Sequence, residues 1–148
     1  MSEKTQVWQP LRDHMKGKWE AQRIEAKIPK GVPDVMYKAK MDRVGWLELK
    51  YSTRKAKKGR VQQLPHFTIE QRRWMETWPC SRVLWRIDGD WLLFDQQFEL
   101  LGHVDFDKLV EISQWHWVGT PNFRVLAGAL NVSEPISSGD TFLGNASA

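Results

Sequence analysis

Residues 45–51, GWLELKY, constrain the fold more than any other segment, because polar and apolar side chains alternate along them. Successive side chains of a strand point to opposite faces of a sheet. The alternation therefore separates two sets, Leu47, Leu49 and Tyr51 on one face and Trp46, Glu48 and Lys50 on the other. It predicts a strand with an aliphatic side in the core and an opposite side that carries a carboxylate and an ammonium group.

Other short segments also have the character of strands. Residues 22–28 alternate in the same way, and residues 35–39 form a second short strand after the break at Pro29-Lys30-Gly31. Short polar connections of this kind favour an antiparallel meander over residues 22–51. Further along, Asp88-Gly89 stands between two apolar runs, which is typical of a β-hairpin.

Three helices are predicted, over residues 7–19, 68–78 and 105–115. The second is the best defined, because Thr68 and Gln71 form the capping box T-x-x-Q. Pro10 stands near the start of the first, and Asp105 can cap the third. A chain of 148 residues fits one domain. We therefore expect a single α/β domain over residues 1–130, with a mixed central sheet flanked by helices, and a polar, mobile tail over residues 131–148.

The composition excludes several classes of protein. The chain is 41% hydrophobic and 27% charged, as globular proteins are, and it has no apolar run near the roughly 20 residues of a membrane span. The first residues lack the apolar core of a secretory signal, and a lone Cys80 cannot form an internal disulfide. A cytoplasmic protein is expected. Four scattered histidines lack metal-ligand spacing, so any metal ion should have oxygen ligands.

Charge is unevenly distributed along the chain. Residues 1–74 hold 18 Lys and Arg against 8 Asp and Glu, whereas residues 75–148 hold 4 against 10. Such segregation suits a polyanion such as DNA, and the absence of a basic amphipathic helix makes a membrane surface the weaker alternative. A basic run directly follows the 45–51 strand and is expected to contact DNA, although a solvated loop is the alternative. Its members are Arg54, Lys55, Lys57, Lys58 and Arg60.

Two carboxylates are the strongest indication of chemistry. Asp34 follows Pro33, and thirteen residues separate it from Glu48. If the 35–39 and 45–51 strands pair, Asp34 can lie across from Glu48, and two carboxylates with a nearby backbone carbonyl suit Mg²⁺, for which Mn²⁺ substitutes. Lys50 then lies one pleat beyond Glu48, where an ammonium group could orient water or stabilise charge on a phosphate.

These residues resemble the motif of the PD-(D/E)XK nuclease superfamily, with Pro33-Asp34 followed by Glu48-Leu49-Lys50. The similarity is to its small VRR-NUC-like, phage-type and Holliday-junction-resolvase-like members, and it covers about residues 20–95. The supporting segments are RIEAKIPKGVPDVMY, GWLELKY and HFTIEQRRWMETW. The resemblance implies a restriction-endonuclease-like core and a Mg²⁺-dependent endonuclease that cuts branched or structured DNA, in the host cytoplasm if it is phage-encoded.

The resemblance also implies roles for individual residues. Asp34 and Glu48 would hold the metal ion together with the backbone carbonyl of Leu49. Lys50 would be the catalytic lysine, and Gln71 would match the glutamine that members of the family carry on a helix near the site.

A further acid completes the site in many relatives. Glu25, on the first predicted strand, is the candidate included in the predicted site. Glu3 and Asp13, before and within the first helix, are the alternatives.

The same residues also have purely structural interpretations, which are the alternatives to these functional roles. Asp34 after a proline could be only a turn former, and Glu48 with Lys50 only a solvent-facing pair. Gln71 could either close the capping box or point into the site. Most tryptophans fall at positions expected to pack in the core, and Trp46 is the exception that could stack on an exposed base.

The function also has alternatives. One is a non-catalytic DNA-binding subunit that keeps the nuclease fold, and another is a restriction-type or nicking nuclease. Because symmetric cleavage of a junction needs two sites, we expect a homodimer, with Trp115 and Trp117 of the last predicted helix at its interface or, alternatively, in the core of one subunit.

Overall fold

The computed structural model describes residues 2–24, 31–53, 68–78, 80–95 and 105–134. Six strands are present in these ranges: β1 Ala21–Arg23, β2 Val35–Ala39, β3 Arg43–Ser52, β4 Ser81–Ile87, β5 Asp90–Phe94 and β6 Trp115–Val118. The α-helices are α1 Gln9–Met15, α2 Ile69–Thr77, α3 Phe106–Ile112 and α4 Phe123–Ala129, and a π-helical segment, Lys4–Trp8, leads into α1. None of the helices in these ranges is long and apolar enough to cross a membrane.

The strands form one mixed sheet in chain order, from β1 at one edge to β6 at the other. Only β3 and β4 are parallel, and every other neighbouring pair is antiparallel. The parallel pair needs a crossover, and α2 lies in the connection between its two strands. The predicted meander, the hairpin at Asp88-Gly89 and the α/β class with a mixed sheet flanked by helices are confirmed.

Helices cover both faces of the sheet, and the alternation of β3 decides which side chains each layer meets. Leu47 and Leu49 are buried in a cluster with residues of α1, α4 and the π-helical segment. A second cluster on the opposite face combines residues of β4 and β5 with Met75 of α2 and Leu109 of α3. Glu48 lies on the face of the second cluster, as the alternation predicts.

Two glycines allow other parts of the chain to pack directly against the backbone. A Cβ atom on Gly45 would lie 2.1 Å from the ring of Tyr37, which packs directly across the β2–β3 pair. Gly31 has φ +89°, and a Cβ atom there would lie 2.4 Å from the backbone of Glu70. The chain before β2 therefore touches the first turn of α2, which holds that helix over the end of β2.

The last third of the chain differs from prediction. The predicted helix through Trp115 is wrong beyond residue 112, because Ser113 takes an extended conformation and Trp115 begins β6. The predicted homodimer interface therefore cannot be formed by a helix that carries Trp115 and Trp117, because both residues belong to β6. Trp117 packs against the first core cluster, and Trp115 is 43% exposed.

The structure also differs from the sequence predictions near the two ends of the domain. The first helical region starts earlier than residue 7 and α1 ends at Met15. The described part of β1 is short, although Ile24 N still donates to Asp34 O at 2.7 Å. Val132 pairs with Ala39 and is buried in the core, so packing extends beyond residue 130. Residues 135–148 lie outside the described ranges.

Candidate metal and active site

Asp34 and Glu48 meet where β2 separates from β3. The last pair in the β2–β3 ladder is Val35 with Leu47, so the next position places Asp34 across from Glu48. The Asp34 carboxylate continues the ladder in place of a backbone group, since its Oδ2 accepts a hydrogen bond from Leu49 N at 2.8 Å. The two carboxylates are themselves within hydrogen-bonding contact. The predicted juxtaposition is therefore present.

The backbone carbonyl of Leu49 lies on the same side of β3 as the Asp34 carboxylate. The N–H and C=O of one strand residue point to the same neighbouring strand. Trp46 N donates to Cys80 O, and Ser52 O accepts from Asp88 N, so the even-numbered residues of β3 point to β4. The N–H of Leu49 points the other way, to Asp34, and its carbonyl shares that direction. The Asp34 carboxylate, the Glu48 carboxylate and the Leu49 carbonyl can thus converge where β2 separates from β3.

Helix α2 contacts the site through the side chain of Gln71. The capping box is formed in full, with Thr68 Oγ1 accepting from Gln71 N and Gln71 Oε1 accepting from Thr68 N. The amide nitrogen of the same side chain donates to Glu48 Oε1 at 3.0 Å. Capping and site contact, which the sequence left as alternatives, occur together in one residue.

Burial raises the free-energy cost of ionising the two carboxylates. Glu48 is only 4% exposed, and burial followed by repulsion from Asp34 raises its pKa well above the ordinary value. Burial also raises the pKa of Asp34, but the hydrogen bond from the Leu49 backbone and the one from Glu48 oppose that rise. Of the two carboxylates, Asp34 is therefore the better stabilised anion.

Glu3 is the additional acid that the structure brings to the pair. Burial and then Asp34 raise the pKa of Glu3, whereas Lys50 and Arg23 lower it. Glu3 and Arg23 line a cavity of about 350 Å³ together with Ser2, Lys4 and Tyr51. Because Glu3 precedes the π-helical segment, the packing of that segment on β3 brings an acid distant in sequence to the site.

Of the other two candidate acids, the described residues include only Asp13. Asp13 is exposed on α1 and pairs with Arg12 at 3.2 Å. Glu25 lies outside the described residues. Lys50 interacts electrostatically with Asp34, Glu48 and Glu3, so the predicted lysine does lie with the carboxylates.

The donor set fits a hard divalent cation that keeps part of its water shell. Within the described ranges, no three His, Cys, Asp or Glu side chains form a group that could hold a metal ion. Mg²⁺ does not need such a group, because it is commonly held by one or two carboxylates, with water and substrate phosphate completing the shell. Asp34, Glu48 and the Leu49 carbonyl satisfy that requirement, and Glu3 lies nearby.

Two further sequence predictions concern the basic run and Trp46. The basic run from Arg54 to Arg60 lies outside the described residues. Trp46 is half-buried on the site face of β3 and touches Trp74 of α2, a contact that the sequence did not predict. Only the spacing of Gln71, Trp74 and Trp78 along one helical face could have indicated it.

No protein-family model matches this chain, and neither a curated protein nor a solved structure does.

Proposed function

We propose that this protein is a Mg²⁺-dependent endonuclease that hydrolyses phosphodiester bonds in DNA, built on a restriction-endonuclease-like core. The observation that carries the proposal is the contact between Asp34 and Glu48 where β2 separates from β3, with Lys50 in electrostatic contact with both. A structural role alone does not account for the contact between the buried Glu48 and the half-buried Asp34, since the repulsion between their carboxylates destabilises the fold unless a proton or a cation compensates.

Each residue of the site has a distinct task in this proposal. Asp34, Glu48 and the Leu49 carbonyl hold Mg²⁺, which when bound polarises the scissile phosphate and lowers the pKa of bound water. Lys50 places a positive charge next to the carboxylates, where it can orient the attacking water and offset charge that develops on the phosphate. Gln71 holds Glu48 in position, and Glu3 adds negative charge that interacts with Asp34.

The DNA substrate is proposed to be branched or structured, in the cytoplasm of the cell in which the protein acts. Residues 1–74 carry the excess of positive charge, and the carboxylate site is built entirely from this half of the chain. The basic run from Arg54 to Arg60 begins two residues after β3 in the sequence. A symmetric cut across a junction requires a homodimer, and light scattering with and without junction DNA measures that state.

The test is cleavage of labelled four-way, flap, single-stranded and linear duplex DNA with Mg²⁺, Mn²⁺ or EDTA. We expect cleavage with either metal and none with EDTA. Asp34→Asn, Glu48→Gln and Lys50→Ala should each lose most activity, while the two carboxylate variants bind DNA as tightly as the wild type or more tightly. Asp13→Asn and Lys38→Ala, which change exposed residues away from the site, are the matched controls.

Four outcomes distinguish this function from its alternatives. Metal-dependent cleavage that survives Glu48→Gln overturns the site. DNA binding without cleavage under any metal supports a non-catalytic DNA-binding subunit. Cleavage of linear duplex at a fixed sequence, with no preference for branched DNA, supports a restriction-type enzyme, whereas a protein that stays monomeric on junction DNA supports a nicking or flap-cleaving one.

A further inference from the structure

Three tryptophans lie next to the carboxylate pair on the same face of the sheet. Trp46 precedes Glu48 by two residues in β3, and Trp74 follows Gln71 by one helical turn in α2. The rings of Trp46 and Trp74 meet edge to face at 5.2 Å, and Trp78 continues the row at 5.7 Å from Trp74. We refer to Trp46, Trp74 and Trp78 as the tryptophan cluster.

The tryptophan cluster differs from the tryptophans that build the core. Trp85 is fully buried, and its indole N–H donates to Ser52 Oγ at 3.0 Å. The three members of the tryptophan cluster belong to neither buried core cluster, and Trp78 is 46% exposed. The indole nitrogen of Trp74 is shielded from solvent and donates no hydrogen bond within the described ranges. Packing of the core therefore does not explain this row of rings.

The position of the row relative to the site suits a strand of nucleic acid. Two residues of β3 place Trp46 about 7 Å from Glu48, and seven residues of α2 place Trp78 about 10 Å beyond Gln71 along the helix axis. Lys50 follows Glu48 by two residues on the same face of β3, and α2 carries Arg72 and Arg73 together with Glu70 and Glu76. A phosphate at the carboxylates would bring a neighbouring base to the indole rings.

We propose that the tryptophan cluster binds an unpaired base of the DNA strand next to the bond that is cut. This inference rests on the proposed nuclease function and specifies its substrate as DNA with unpaired nucleotides beside the scissile phosphate. Stacking on aromatic rings accepts any base but requires that the base be out of the duplex stack. Intact duplex would first have to be opened, and the unstacking and unpairing of the base cost free energy.

The test measures binding of the full chain in EDTA, so that it does not depend on cleavage. Labelled DNA is titrated by fluorescence anisotropy in two forms of equal length, a blunt duplex and the same duplex with a short oligo-dT flap. We expect tighter binding of the flap. Trp78→Ala should weaken flap binding by about 5- to 150-fold, the range that corresponds to removal of one base–aromatic stack, and leave duplex binding within twofold.

Two further variants make the test specific. Trp78→Phe retains an aromatic ring and should restore most of the flap affinity. Trp115→Ala removes a tryptophan of similar exposure, 43% against 46%, at the opposite edge of the sheet, and should leave the ratio of flap to duplex affinity unchanged. Circular dichroism of each variant confirms that the fold is retained.

The outcomes separate this inference from the nuclease proposal. Equal weakening of flap and duplex by Trp78→Ala, no weakening of either, or the same effect with Trp115→Ala would overturn the base-binding role. Flap preference that depends on Trp78 supports it even if no metal ion produces cleavage, in which case only the hydrolytic function fails.

Discussion

Gln71 joins the N-terminus of α2 to Glu48, because its side-chain oxygen caps the helix at Thr68 while its nitrogen donates to the Glu48 carboxylate at 3.0 Å. The helix start and the candidate metal ligand therefore depend on one side chain. Any shift of α2 moves the group that orients Glu48, which makes Gln71 a positioning residue of the proposed site.

Substitutions at Gln71 and Thr68 separate these two tasks. Thr68→Ala removes only the cap, so we expect a decrease of about 0.5–2 kcal/mol in the free energy of unfolding and cleavage within a few-fold of the wild type. Gln71→Ala should cost a similar amount of stability and also lower cleavage by about 10- to 100-fold, as removal of an outer-shell partner does. Urea denaturation and cleavage rates measure the two effects. Equal activity in both variants would limit Gln71 to capping.

Glu3 should matter for the reaction although it is distant in sequence from the other acids. Glu3→Gln is expected to weaken Mg²⁺-dependent cleavage by about 10- to 100-fold and to raise the Mg²⁺ concentration needed for half-maximal rate. Asp13→Asn is the control, because Asp13 is an exposed acid that pairs with Arg12. If both variants cleave like the wild type, Glu3 is only a neighbour of the site.

Stability of the metal-free protein should fall as pH rises through the titration of Glu48. An unfolded Glu titrates near 4.5, and burial raises the pKa in the folded state. Between these two pKa values the folded protein binds more protons than the unfolded one, so the free energy of unfolding decreases with increasing pH. Glu48→Gln removes this group. The stability of the variant relative to the wild type should therefore increase as the pH rises above 4.5.

Thermal denaturation in EDTA at a series of pH values checks this expectation. A difference between wild type and Glu48→Gln that does not change with pH would contradict it. Addition of Mg²⁺ at pH 8 should raise the Tm of the wild type more than that of the variant, because a ligand stabilises the state that binds it.

The basic run should contribute affinity without sequence preference. Replacement of Lys55, Lys57 and Lys58 by Ala is expected to lower the slope of log affinity against log salt by about 0.9 for each duplex DNA phosphate that the protein no longer neutralises. Replacement of three exposed lysines elsewhere, Lys16, Lys18 and Lys40, serves as the control for net charge. An unchanged slope in the first variant would show that the run is a solvated loop.

Gly45 should be intolerant of even one methyl group. Its Cβ atom would lie 2.1 Å from the Tyr37 ring, whose hydroxyl donates to Leu130 O at 2.8 Å. We expect Gly45→Ala to lower the free energy of unfolding by about 1–3 kcal/mol, as overpacking does. Gly89→Ala is the matched control, since nothing lies within 4 Å of a Cβ atom there. Equal stability of the two variants would contradict the close packing of Tyr37 on Gly45.

Local patterns in the sequence were sufficient for the central part of the fold. The alternation of residues 45–51 determined which side chains of β3 face the core, and Thr68 with Gln71 determined where α2 begins. Asp88-Gly89 determined the β4–β5 hairpin. These features depend on residues a few positions apart, and strand period, capping and turn conformation are properties of such short segments.

Tertiary structure decided what the local patterns left open. The strand β6 and helix α4 are four and seven residues long, too short for periodicity in the sequence to identify them. Likewise, no spacing rule brings Glu3 to Asp34 or Trp46 to Trp74. Those contacts arise because helices pack on both faces of the sheet, and a periodic pattern shows which face of an element is apolar but not which distant residue will cover it.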